Sequence, residues 1–241
     1  MRKHLLATLA IVAVLFVGSL ALAVAFGGPS TPPALASANN PFETVDYSGL
    51  PELSYYTASD NADLAYRQYS ASGNTKGSAV LLHGSSADSR SMHPMARALV
   101  DAGFAVYALD VRGHGGSGVK GHVDYVGQLE DDLQAFMAQV QPPGPVTLVG
   151  FSSGGGFALR VAGGELATLF DRYLLLAPFV SQEAPTYRTG SGGWVNVGLP
   201  RYVALMLLNQ LGVERFNDLP VVSYALTERA RQTMTPQYSF N

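Results

Sequence analysis

The chain has 241 residues, 47 % hydrophobic and 14 % charged, with 15 Lys and Arg against 18 Asp and Glu for a net charge of −3. That balance supplies no basic surface for nucleic acid and no acidic tail, and the apolar share excludes a disordered chain. The absence of cysteine excludes disulfides, thiolate metal sites and a cysteine nucleophile, and the length fits one moderate domain with appendages.

Met1-Arg2-Lys3-His4 is basic, and Leu5 to Phe26 is an uncharged, mostly apolar run of 22 residues. About 20 apolar residues cross a bilayer as a helix, whereas a signal-peptide core takes about 7–15. Residues 1–26 therefore predict a transmembrane helix that stands clear of the folded domain. The positive end stays in the cytoplasm and sends the rest to the non-cytoplasmic side. The alternative is a secretory signal, cleaved near Ala36-Ser37-Ala38, that would leave a secreted protein. Residues 27–50, which open on a Pro-, Ala- and Ser-rich stretch, read as a flexible linker.

The folded domain is expected over 51–182. Leu53 to Ala58 and Ala62 to Ser70 alternate and are separated by Ser59-Asp60-Asn61, which predicts an antiparallel hairpin, with Ser72 to Gly77 as the next turn. Ala79-Val80-Leu81-Leu82, Phe104 to Leu109, Val146 to Val149 and Tyr173 to Ala177 are short apolar runs of the buried-strand kind. Helical spacing marks Ser91 to Ala102 and Tyr125 to Val140 between them, and a third helix runs to about Gly163. Strand and helix in alternation predict an α/β, doubly wound sheet whose four apolar strands are parallel neighbours. From Phe179 the pattern changes. Gln182 to Pro200 is rich in Gly, Pro and Ser, Leu199 to Leu211 is an apolar helix, and Leu226 to Arg231 is another. Residues 183–241 thus read as an insertion forming a partial helical cap over the carboxyl edge of the sheet.

Gly150-Phe151-Ser152-Ser153-Gly154 lies between a buried strand and a helix whose first turn is nearly bare of side chains. A sharp strand-to-helix turn leaves no room for a Cβ at the flanking positions and pushes the central hydroxyl clear at the helix N-terminus. Ser152 is the candidate nucleophile, and the Ser153 amide and the helix dipole face any oxyanion formed there. The histidines show no metal-ligand spacing, so neither a metal nor a cofactor is expected.

Three motifs end successive strands: Leu82-His83-Gly84-Ser85, Asp110-Val111-Arg112-Gly113-His114-Gly115-Gly116-Ser117, and the serine turn. Together they resemble the α/β-hydrolase fold, and within it the monoacylglycerol-lipase, lysophospholipase and serine-aminopeptidase-like group. The resemblance covers about Leu53 to Ala177. It implies that Ser152 attacks an acyl carbonyl and that the backbone amides of Ser85 and Ser153 hold the oxyanion. It further implies that His83 is architectural and that Arg112 and His114 fix their loop by hydrogen bonds. His93 and His122 read as surface or helix-start residues.

In this fold the catalytic order is Ser, then Asp or Glu, then His. All five histidines here precede Ser152. Glu183 is the downstream acid nearest a strand end and the candidate triad acid. The expectation is a chain truncated at its C-terminus, lacking two strands whose loops carry acid and base. The functional reading is a membrane-anchored serine hydrolase of carboxylic esters, lipid or lysophospholipid-type esters being favoured by the apolar cap. The alternative is a non-catalytic binder of a hydrophobic ligand or partner. An aminopeptidase would need an acidic group for the substrate amine, and epoxide or haloalkane hydrolysis would place aspartate at position 152.

Overall fold

Alternation over Leu53–Thr57 (β1) and Asp63–Tyr69 (β2) does give an antiparallel hairpin, with Tyr55 opposite Ala65. The computed structural model describes residues 2–71, 73–185, 187 and 192–241. Ser72, in the turn that follows the hairpin, lies outside the described residues, as do 186 and 188–191 of the Gly-, Pro- and Ser-rich stretch. Next come β3 (Ser78–Leu82), a 3-10 turn (Ser89–Met92), α3 (His93–Asp101), β4 (Ala105–Leu109), α4 (Gln128–Val140), β5 (Val146–Phe151), α5 (Ser153–Ala162) and β6 (Arg172–Leu176). Among the described residues these strands form one six-stranded sheet in the order β1-β2-β4-β3-β5-β6. The four apolar runs are parallel neighbours, as predicted, and β2 joins them antiparallel through β4.

Alternation within the strands feeds two cores. Val80 and Leu82 point with Tyr107 and Leu148 toward Leu133 and Phe136 of α4 and Ala158 and Val161 of α5. Ala79 and Leu81 point the other way, toward Met92 and Ala96 of the α3 layer. Each fully buried Val or Leu in these strands is worth roughly 1.5–3 kcal/mol. Phe136 meets the rings of Tyr56, Tyr66 and Tyr107 edge-on at 5.3, 5.4 and 5.9 Å, which fixes α4 on the sheet. Helix α4 starts at Gln128 and not at Tyr125, because Gly127 takes a left-handed φ of 105° that interrupts helical backbone.

Arg112, just past β4, ties three elements together. Its guanidinium donates twice to Asp132 of α4, at 2.7 Å each, and to Asp60 in the hairpin turn at 2.8 and 3.1 Å. The hydrogen bonds to Asp132 hold the guanidinium charged, and those from Arg112 keep the Asp60 carboxyl below its usual range. The loop-fixing role read from the sequence is what Arg112 does.

The segment after β6 departs from the expected helical cap. It holds β7 (Val195–Val197), α6 (Leu199–Gln210), β8 (Pro220–Tyr224), α7 (Glu228–Thr233) and β9 (Gln237–Ser239). Both helices fall near their predicted positions, and the Thr227 hydroxyl caps α7 by accepting from the Ala230 N–H. The three short strands, however, pair antiparallel in the order β7-β8-β9.

The N-terminal run forms α1 (Arg2–Phe26) and is followed by a short helix, α2 (Ala36–Glu43). Two expectations are corrected here. Helix α1 does not stand wholly clear of the domain: Leu20, Ala23 and Val24 pack against Ala204, Leu205 and Leu208 of α6. Arg201 completes that contact by donating to the carbonyls of Val24, Ala25 and Pro220, which caps the C-terminus of α1. The 27–50 segment is also held in place and is not a free linker. The Ser30 N–H donates to Asn196, the Leu35 N–H to the Ala225 carbonyl, and the Asn39 amide to the same carbonyl.

Arg112→Ala strips the buried Asp132 of its ion-pair partner, so a loss of about 3–5 kcal/mol in unfolding free energy is expected. Asp60→Ala, at a half-exposed site, should cost under about 1 kcal/mol. Denaturant unfolding of the two variants tests this, and similar small losses would contradict the assigned role of Arg112.

Candidate active site

Strand order sets where the site lies. The chain leaves β3 on one side to form β4, then returns on the other side to form β5. Such a reversal opens a crevice outside the carboxyl ends of the two central strands, where open parallel sheets bind ligands. Leu82 lies opposite Gly150 across β3 and β5, so the Gly84-Ser85 turn and the Ser152 turn are side by side. A Cβ on Gly84 would lie 3.2 Å from the Ser152 Cβ.

Ser152 has φ 53° and ψ −116°, the strained backbone that the strand-to-helix turn demands. Such a conformation costs on the order of 1–3 kcal/mol and persists only where neighbours enforce it. Its N–H donates to the Leu176 carbonyl at 3.0 Å, and its own carbonyl accepts from Gly156 at 3.0 Å and Phe179 at 2.9 Å. On the other side α5 presses on β3, where a Cβ at Gly154 would come within 2.6 Å of the Leu82 carbonyl oxygen. Ser152 and Ser153 are half-buried, as is Ser85. Among the described residues the amides of Ser85 and Ser153 donate to no protein acceptor.

The imidazoles near this turn are all committed. His83 is buried, donates from Nδ1 to the Gly84 carbonyl at 2.9 Å, and accepts at Nε2 from the Val111 N–H at 3.1 Å. Only the neutral ring makes that pair of bonds, and burial lowers its pKa. His114 stacks edge-on against it, with ring centroids 4.8 Å apart. Its Nδ1 donates to the carbonyls of Val111 and Arg112, so Nε2 accepts from the Tyr238 hydroxyl at 2.7 Å. Burial, then the neighbouring His83, push the His114 pKa down to about 3. Both residues are struts of the loops, as the resemblance implied. His93 starts α3, one of the two readings offered for it, and it is not a surface residue: it is fully buried, between the Tyr69 hydroxyl at 3.0 Å and the Ser48 carbonyl at 3.3 Å. His122 is partly exposed and sits between Asp124 and Asp218.

Glu183 lies exposed in the turn after β6, where its N–H donates to the Ser181 hydroxyl at 3.2 Å. Among the described residues no hydrogen bond joins its carboxylate to a histidine, and none joins the Ser152 hydroxyl to an imidazole or carboxylate. Asp110, at the end of β4, instead accepts from the Ser89 and Gly116 N–H groups and shapes the loop.

Sequence reasoning did not find Tyr224 and Tyr238. The Tyr238 hydroxyl accepts from the Ser86 N–H at 2.7 Å, and the Thr235 N–H donates to the Ser86 carbonyl at 2.8 Å. Tyr224 packs edge-on against Tyr238, with ring centroids 4.9 Å apart, and burial raises the pKa of each. The turn bearing the Ser85 amide is thus clamped by chain some 150 residues away, which no local sequence pattern signals. Two cavities lie beside this region. One of about 510 Å³ is lined by Tyr47, Asp88, Arg90 and Thr227, and one of about 420 Å³ by Lys120, His122 and Tyr238. Ser152 lines neither.

The sheet order, the strained serine turn and its place at the crevice define an α/β-hydrolase fold. A family model described as serine aminopeptidase, S33, matches residues 73–223, and the chain belongs to that family. Human monoglyceride lipase is 27 % identical over 196 residues, which cover 76 % of this chain and 63 % of the lipase. The chain therefore spans less than two thirds of that relative's length. Two solved structures share the fold. A soluble variant of the Saccharomyces cerevisiae monoglyceride lipase, in complex with a substrate analogue, has a TM-score of 0.54 at 21 % identity, over 70 % of this chain and 55 % of that one. The Paleococcus ferrophilus monoacylglycerol lipase has a TM-score of 0.53 at 20 % identity, over 73 % and 66 %.

The His114 shift makes stability depend on pH. Below about pH 6.5 the unfolded imidazole binds a proton that the folded one refuses until about pH 3. Unfolding then takes up protons, and stability falls as the pH drops. Unfolding free energy should decline between pH 6.5 and 5, and His114→Asn should remove up to about 1.4 kcal/mol per pH unit of that slope. An unchanged slope in the variant would contradict the buried neutral ring.

Proposed function

We propose that this protein is a membrane-anchored serine hydrolase of carboxylic esters, with lipid or lysophospholipid-type esters as substrates. The observation that carries the reading is the Ser152 turn, a hydroxyl on strained backbone at a helix N-terminus beside a second turn whose Ser85 amide meets no acceptor among the described residues. In the proposed mechanism the Ser152 hydroxyl attacks the ester carbonyl and passes its proton to a base. The resulting oxyanion is held by the amides of Ser85 and Ser153, each such donor being worth on the order of 3 kcal/mol. The alcohol leaves with a proton from that base, and water then hydrolyses the acyl-serine. Kinship with monoglyceride lipases supports the ester class, and the apolar α6 in the segment after β6 supports a lipid substrate. Residues 183–241 are proposed to cover the substrate site, and Glu183 is the described acid nearest a strand end.

The base is proposed to come from outside the described residues. His83 and His114 each have both ring nitrogens engaged. The open edge of β6, where Leu174 is 46 % exposed, offers a place for further strands to pair. Helix α1 is long and apolar enough to cross a membrane, and its basic end favours placing the domain on the non-cytoplasmic side. A second reading, a ligand-binding protein without turnover, is favoured by the absence of an imidazole at Ser152 among the described residues.

Supplying a base separates the two readings. With p-nitrophenyl butyrate, the 241-residue chain should hydrolyse slowly and accelerate with added imidazole beyond the imidazole-only rate. Ser152→Ala should remove that excess. Fast, Ser152-dependent turnover without imidazole would place the base among these residues. Equal rates for both proteins would favour the binder, and Ser152-dependent cleavage of aminoacyl anilides in preference to esters would favour a peptidase.

A further inference from the structure

Helix α6 presents two apolar faces, and the structure accounts for one of them. Ala204, Leu205 and Leu208 pack against α1 and β8. Leu199, Tyr202, Val203 and Met206 follow each other at helical spacing and are 61, 42, 39 and 40 % exposed, although the Tyr202 ring also meets Phe240 at 5.3 Å on one side. Arg201 is the only charged residue between 199 and 213. Its guanidinium is spent on the carbonyls of Val24, Ala25 and Pro220. A stripe of this kind has no charged group of its own to keep it in water.

The length of α1 says what covers it. At about 1.5 Å per residue, Leu5 to Phe26 spans about 33 Å, enough for a hydrocarbon layer of about 30 Å. Its last two turns, through Leu20, Ala23 and Val24, are the part that packs on α6. If those turns stood above the bilayer, only Leu5 to Ser19 would remain inside. That is about 22 Å, too short to cross. A spanning α1 therefore brings α6 down with it.

We propose that α6 is immersed in the bilayer beside α1, with Leu199, Tyr202, Val203 and Met206 against lipid. The inference rests on α1 being a retained membrane anchor. It makes the domain a membrane-seated body, not one swinging on a linker, and the ordered 27–50 segment agrees with that. The crevice beside Ser152 is thereby held at a fixed height over the lipid surface.

The chain has no cysteine, so single cysteines can be labelled without background. Val14→Cys in α1, Met206→Cys and Tyr202→Cys in α6, and Asp101→Cys at the exposed end of α3 would each carry an NBD fluorophore. The full chain is then reconstituted in phosphatidylcholine vesicles containing acyl-chain nitroxide lipids. The expected result is quenching at 206 and 202 about as strong as at 14, with blue-shifted emission, and no quenching at 101. Quenching at 14 with aqueous emission at both 206 and 202 would overturn the seating of α6 and leave the anchor standing. No quenching at any position would overturn both. Using two positions in α6 guards against one variant that fails to fold.

Discussion

Helix α5 runs so close to the end of β3 that no side chain fits at Gly154 beneath the Leu82 and His83 carbonyls, and the site depends on that approach. For the chain to pass from β5 into a helix pressed this tightly on the sheet, it must turn within one residue. Ser152 is that residue, and a left-handed backbone is the result. The strain is paid for by three backbone hydrogen bonds, to Leu176, Gly156 and Phe179, and by the buried strands on either side. What the turn gains is a hydroxyl at a helix N-terminus in fixed geometry, beside an amide that meets no acceptor among the described residues; under the proposed mechanism little would reorganise when charge develops there.

The neighbouring turn is fixed by different means. His83 and His114 serve as neutral, doubly bonded struts that couple the end of β3 to the end of β4, with Asp110 and Arg112 reinforcing the same loops. Tyr238 then couples both to the final strand through Ser86 and His114. Two of the three motifs that resemble a catalytic family thus hold shape and do no proton transfer among themselves. This arrangement explains why His83 and His114 can lie near the Ser152 turn with no ring nitrogen left to act as a base.

Much of the central sheet was legible in the sequence. Residues 79–82 and 105–109 are apolar on both faces, as buried parallel strands must be, 146–149 nearly so, and 173–176 are apolar although the edge strand β6 is only partly buried; the Ser59-Asp60-Asn61 turn marks the hairpin. Ser152 could be singled out because backbone sterics at such a turn restrict its neighbours to glycine. Other features depend on contacts that leave no local trace. The three-residue strands β7 and β9 are too short for alternation to show, so their segment read as helical cap. The burial of His93 depends on Tyr69 and Ser48, and the clamp on Ser86 on residues of the final strand. The apolar run of residues 5–26 predicted a long helix, and α1 is one, yet its composition could not tell that its last turns would meet an equally apolar α6.

The most direct test of the account is a crystal structure of the protein after prolonged exposure to a fluorophosphonate. The account predicts a phosphonyl group on the Ser152 Oγ, with φ of that residue still positive. The phosphoryl oxygen should lie about 2.7–3.1 Å from the amide nitrogens of both Ser85 and Ser153. An adduct on another residue, or an oxygen directed away from those two amides, would contradict it.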